Sequence, residues 1–200
     1  MKVENYKIPH SSFLSMEKDL NQITGSILRN KNLKKLLYYT TENALSMPDL
    51  TDDQSVSLFG RNIRIAPKLY IDQDIVNYII ISFDDFSPNA KNPEFRDCTI
   101  CFDIICHFNQ WQLTDFKLRP YRIAAELDTM FNKAKFSGIG RLEFIGGLQM
   151  LLDDEYGGLT LRYRAINGED DKKNPVNPED DDQMKLNFKD LQDSLKEIQQ

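Results

Sequence analysis

The run from Arg96 to Phe108 constrains the fold most, because it alternates over its whole length. Successive side chains of a strand point to opposite faces, so Cys98, Ile100, Phe102, Ile104 and Cys106 share one side. Thr99, Cys101, Asp103, Ile105 and His107 share the other. The first set predicts the core face of a long strand. Upstream, Val76 to Phe86 is rich in β-branched and aromatic residues and ends at Ser87-Pro88-Asn89, a second strand. The two flank the Ser87-to-Pro93 loop and predict an antiparallel hairpin. Ile63 and Ile65, alternating with Arg64, add a shorter strand.

Helical periods surround these strands. Phe13, Met16, Leu20, Ile23 and Ile27 recur at steps of three and four, which predicts a helix starting after Ser11-Ser12. Leu33, Leu36 and Leu37 extend it or form a second helix. Met47 to Gly60 is polar and shows no period, so it reads as a loop or a mobile excursion. Arg119-Pro120 opens another helix, with an apolar stripe of Ile123, Leu127, Met130, Phe131 and Ala134. Gly138 and Gly140 are expected to stop it. Arg141 to Leu151 and Gly158 to Ile166 predict two further strands joined through Asp153 to Gly158, with Gly157 and Gly158 supplying a positive-φ turn. Gly146 and Gly147 read as a turn or bulge.

The fold class predicted is α+β: a mostly antiparallel sheet packed against helices, followed by an acidic linker and a C-terminal amphipathic helix. Residues 1–166 form the core domain. Residues 167–183 mix Glu169, Asp170, Asp171 and Glu179 to Asp182 with Pro175 and Pro178, an extended solvated linker. Residues 184–200 carry Phe188, Leu191, Leu195 and Ile198 at helical spacing, an arm with a stripe to bury. So short a helix is marginal alone in water. It either folds back on its own domain or docks on a partner, which makes these four residues the candidate partner-binding site.

Chemistry is sparsely supported. Cys98, Cys101, Cys106 and His107 resemble a zinc cluster in composition. However, Cys98 and Cys101 are separated by an odd number of residues and point to opposite faces of a strand. Three cysteines and no export signal read as reduced thiols in a cytoplasm-like compartment. His10 and His107 are the two histidines of the chain, and neither has the neighbours of a nucleophile's base. No Gly-x-Ser-x-Gly elbow, phosphate-binding loop or dinucleotide fingerprint occurs. Asp84-Asp85 and Asp153-Asp154-Glu155 read as solvated turns. The expectation is no catalytic residue, no cofactor and no metal. The formal net charge of −6 argues against a protein that grips phosphate backbones. The longest apolar run, Tyr78 to Phe83, is far shorter than the ~20 residues of a membrane helix.

Certain stretches carry a resemblance. These are the alternating Arg96 to Ile104 strand, the Leu118-Arg119-Pro120-Tyr121-x-Ile123 helix start, the Gly138-Ile139-Gly140 break and the closing Gly158 to Tyr163 strand. In them, residues 61–166 resemble phage tail terminator and head–tail connector proteins, which cap a tail tube or join it to the portal. The resemblance implies a virion protein, assembled in the host cytoplasm, whose subunits form a closed ring. Its implied partners are copies of itself and neighbouring portal, connector or tail proteins, with DNA passing but not tightly held, and no membrane. The Met47-to-Gly60 excursion and the arm depart from that pattern. The rival expectations are a non-catalytic adaptor that binds a protein through its arm, and an enzyme whose site has no recognisable motif.

Overall fold

A computed structural model describes residues 12–66, 76–90, 96–136 and 140–167. His10, most of the predicted linker and the arm residues Phe188, Leu191, Leu195 and Ile198 lie outside the described residues, as do Gly138 and Ile139.

Helix α1 (Ser12–Arg29) buries Met16, Ile23 and Ile27, with Leu20 at the margin of the same stripe. It stops because the Asn30 amide bonds back to the Ile27 carbonyl (3.0 Å) while its side chain turns to a new task. Asn30 Oδ1 accepts from the Leu33 amide at 3.0 Å and caps α2 (Lys31–Tyr38), so Leu33, Leu36 and Leu37 belong to a separate helix. The Asn30 amide group also donates to Glu126 at 3.1 Å, tying this corner to α4 (Arg119–Phe131).

Residues 47–60 are not an open loop. Thr51 and Gln54 form a reciprocal capping box for α3 (Asp52–Ser57), and Leu50 and Leu58 at its two ends are buried in the core. Six residues are too few to display a helical period, which is why this element hides in the sequence.

The main sheet contains β1 (Ile63–Ile65), β2 (Tyr78–Pro88), β3 (Arg96–His107), β6 (Glu143–Leu151) and β7 (Tyr156–Asn167) in the order β1-β2-β3-β7-β6. β1 runs parallel to β2 and the other pairs are antiparallel. A small hairpin of β4 (Lys135–Phe136) and β5 (Gly140–Arg141) follows α4. The architecture is therefore α+β with a mixed sheet. The predicted face of β3 holds: Cys98, Ile100, Phe102, Ile104 and Cys106 all enter the core beneath the helices. There Phe102 stacks on Phe131 with ring centres 4.8 Å apart and meets Tyr163 edge-on at 5.8 Å. Tyr163 also donates to Asp128 of α4 at 2.9 Å. The opposite face is not simply polar, because Val76, Tyr78, Ile80, Ile105 and Tyr156 form a second, smaller apolar cluster there.

Two turns differ from expectation. α4 ends at Asn132 and the left-handed Lys133 (φ 64°), before any glycine; Gly140 (φ 72°) lies in β5. The β6–β7 turn is made by Asp153, whose Oδ1 accepts from the Glu155 and Tyr156 amides at 2.8 and 2.7 Å. Gly157 and Gly158 are inside β7 instead, opposite Cys106 and Ile105. A Cβ on Gly158 would overlap the Ile104 carbonyl oxygen, so close backbone approach, not turn formation, demands glycine. Gly146 marks a register shift in β6, the bulge its position suggested.

Arg119 has the largest fully buried side chain among the described residues. Its guanidinium donates to four carbonyls: Gln110 (2.7 Å), Leu36 (2.7 Å), Tyr39 (2.8 Å) and Thr41 (2.7 Å). The Leu36 and Tyr39 oxygens belong to the C-terminal end of α2, where the helix dipole favours a cation. Arg119 thereby locks α2, α4 and the segment after β3 into one corner.

Candidate assembly surface

The reactive side chains are placed as structural groups. Cys98 and Cys106 point into the helix-side core and Cys101 to the other face. Burial pushes the Cys98 thiol up to about 12, with Asp19 and Asp97 adding to it. Burial takes Cys106 to about 12 as well, against a smaller opposing pull from Arg119. Burial also raises Cys101, partly offset by Arg162. Thiols held in the protonated form are poor nucleophiles and poor metal ligands. His107 is buried; its Nδ1 accepts from the Asn109 amide at 3.1 Å, and its ring meets Tyr156 edge-on at 4.9 Å. Arg162 lies between Asp84 and Asp85, bonding the latter. Among the described residues, no group of three or more His, Cys, Asp or Glu side chains is placed to hold a metal ion.

The apolar surface is more informative. From Phe144 to Leu152 the sequence has no charge and no proline. Among the described residues this stretch is the outer edge of the sheet, paired through β6 to β7 on one side. The packing of α1 and α4 on the sheet falls on β3 and β7. Past that cover, Phe144 and Ile145 are exposed, Leu148 is 69% exposed and Leu151 77% exposed. Because β-strand side chains alternate, these residues project from both faces of the strand. Edge strands of stable monomers are blunted by charges, proline or a covering element, since their unpaired backbone groups template pairing with another chain. Beyond Glu143 at its start and the bulge at Gly146, β6 has no charge and no proline.

Ile145 also lines a groove of about 540 Å³ at the Arg96 end of the sheet, together with Cys98 and Thr99. Asp85, Asp97 and Arg164 put charges of both signs around it. Asp85 is itself held left-handed (φ 55°), at the bulge where the β2–β3 register shifts.

A second exposed apolar feature lies beyond the other end of β3. Leu113 is buried, the Thr114 amide bonds to the Glu42 carbonyl (3.0 Å), and Gln112 bridges Leu118, so the base of the 112–118 loop is fixed. At its tip Asp115 (φ 60°) and Phe116 (φ 58°) are consecutive left-handed residues, neither of them glycine. Such conformations cost on the order of 1–3 kcal/mol each and persist where the surroundings enforce them. The strained tip holds Phe116 fully exposed, flanked by Asp115 and Lys117, which pair at 3.1 Å. Exposed Leu118 and Tyr121 follow it. The sequence shows no sign of this loop, since no glycine or Asn-Gly pair marks the turn.

No curated protein matches the sequence. A family model, YomW, matches residues 30–165, from the cap of α2 through most of β7. The match includes residues 47–60, so the α3 region is part of the family's pattern, whereas residues 184–200 lie outside it. Among the described residues, no helix is long and apolar enough to cross a membrane. The chain belongs to the YomW family, a phage-derived family.

Proposed function

We propose that this phage-associated protein is a structural virion component that forms an oligomeric ring at the head–tail junction, joining portal to tail and letting DNA pass. It acts by assembly and not by catalysis, and it uses no cofactor.

The apolar edge strand, which no other described element covers, carries this reading. Each large apolar side chain brought from water into a packed interface contributes ~1.5–3 kcal/mol, and β6 presents Phe144, Ile145, Leu148 and Leu151 on an edge that, among the described residues, pairs on one side. A ring needs a contact of this kind, repeated without mutual exclusion around an axis. The phage-derived family and the resemblance of residues 61–166 to connector proteins give that assembly its setting. The buried, protonated thiols favour a non-catalytic role.

Light scattering and negative-stain imaging test the proposal on the full chain, alone and mixed with portal and tail proteins of the same phage. Rings in either sample support it. A monomer at every concentration that ignores those proteins overturns it.

A further inference from the structure

We infer that the Phe116 loop of one copy is the knob that fills the groove beside Ile145 on the next copy, so the contact joins two different surfaces head to tail. The inference rests on the assembly reading above and names the partner of its edge strand.

Position supports it first. The groove lies at the Arg96 end of β3, beside Thr99 and Arg164. The loop lies beyond the His107 end, anchored to the chain that follows α2. The strand between spans twelve residues, eleven steps of ~3.3 Å or about 36 Å in all. A subunit with complementary features at opposite ends propagates head to tail and closes into a ring when the rotation allows. Two copies of one patch give an isologous dimer instead.

Shape and charge identify the occupant. The groove's 540 Å³ falls within the ~300–1,000 Å³ of pockets that enclose compact ligands, ample for one phenyl ring against Ile145. On either side of Phe116 the loop carries Asp115 and Lys117; around the groove stand Arg164 and the carboxylates Asp85 and Asp97. Asp115 therefore has Arg164 as a counter-charge and Lys117 has Asp97, whose carboxylate is held by neutral Asn89 at 2.7 Å. Aromatic residues at interface centres are the usual anchors of binding energy, with charged rims setting register.

Sedimentation velocity on the full chain compares the wild type with Phe116→Ala, Arg164→Glu and the double variant Asp115→Lys/Arg164→Glu. Phe116 is fully exposed, so its truncation leaves far-UV circular dichroism and the melting temperature unchanged. The expected result is a loss of at least 30-fold in self-association for Phe116→Ala, a smaller loss for Arg164→Glu, and recovery in the double variant. Left-handed lysine already occurs in this chain at Lys133. If the wild type assembles and Phe116→Ala assembles equally well, the knob is wrong while the assembly reading stands. Loss of assembly with Leu148→Asp but not with Phe116→Ala would identify edge-to-edge pairing of β6 instead. A wild type that stays monomeric alone removes the knob-and-groove contact, while the assembly reading falls only if the chain also ignores the portal and tail proteins.

Discussion

β7 and β6 are partners in one antiparallel pair, but among the described residues only β7 has a second strand beside it and helices over its face. Tyr163 and Ala165 of β7 are buried in the core and Leu161 joins them, whereas most of β6 is exposed. Apolar content does not separate the two strands. Position does: β7 lies between β3 and β6, and β6 at the rim. An apolar residue stabilises the monomer where the fold supplies cover, and stays in water where it does not. Substitutions in the covered half should therefore change stability, and substitutions on the rim should change association.

The largest effect is expected in the covered half at Gly158. A methyl group there overlaps the Ile104 carbonyl, and backbone cannot yield as a flexible side chain does. Gly158→Ala should cost on the order of 4 kcal/mol or more and separate β3 from β7, read as a collapsed urea midpoint.

Arg119→Met comes next. It keeps the apolar stem but strands four carbonyls, buried at Gln110 and Leu36 and part-buried at Tyr39 and Thr41, and a buried group left unsatisfied costs ~1–3 kcal/mol. Partial relaxation brings the expected loss to about 3–5 kcal/mol by chemical denaturation. Arg119→Lys should recover only part of it, because one ammonium cannot span the positions that the guanidinium fork reaches.

The third prediction sharpens the comparison by locating a flaw within the well-packed half. Asp19 of α1 is buried with Oδ2 lacking a hydrogen-bond partner, and burial raises its carboxyl to about 7 despite the opposing effect of Lys18. Between about pH 4 and pH 7 the folded chain keeps a proton that the unfolded chain has released. Stability therefore falls as pH rises through that window and levels off above it. Asp19→Asn should match the wild type near pH 4 and exceed it above pH 7. At ~1.4 kcal/mol per pKa unit, the gain is on the order of 2–4 kcal/mol. Denaturant melts at pH 4.5 and 7.5 check both ends; equal stabilisation at both would assign the effect to packing.

Periodicity made the covered half legible in the sequence. Alternation assigned the faces of β3, and steps of three and four found the stripes of α1, α2 and α4, because those residues all answer to one local geometry. Arg119 reads locally as a helix opener; its role depends on carbonyls up to 83 positions away. The Phe116 tip was hidden because left-handed turns are usually recognised by glycine, and Thr114-Asp115-Phe116-Lys117 has none. The reverse error occurred at Gly157-Gly158, where glycines that look like a turn serve a close strand contact while Asp153 makes the turn. β6 was recognisable as a strand. Its rim position was not, because strand order follows from long-range pairing that no local pattern encodes.

The smallest stability effect, and the most discriminating one, is expected at Leu148. This side chain is 69% exposed and lies opposite Thr160 on the face away from the main core. Leu148→Ser removes little buried area, and exposed substitutions of this kind stay within about 0.5 kcal/mol. The urea midpoint should barely move. In an assembled interface the same residue is covered, and losing most of one leucine's burial, ~1.5–3 kcal/mol, weakens each contact roughly 10- to 100-fold. Sedimentation against concentration and a urea melt on the same sample separate the two effects. A shifted melt with unchanged association would place Leu148 in the monomer's own packing and remove the contrast between β6 and β7. An unchanged melt with weakened association means that the rim is built for a neighbour, because the monomer gains nothing from a leucine it leaves in water.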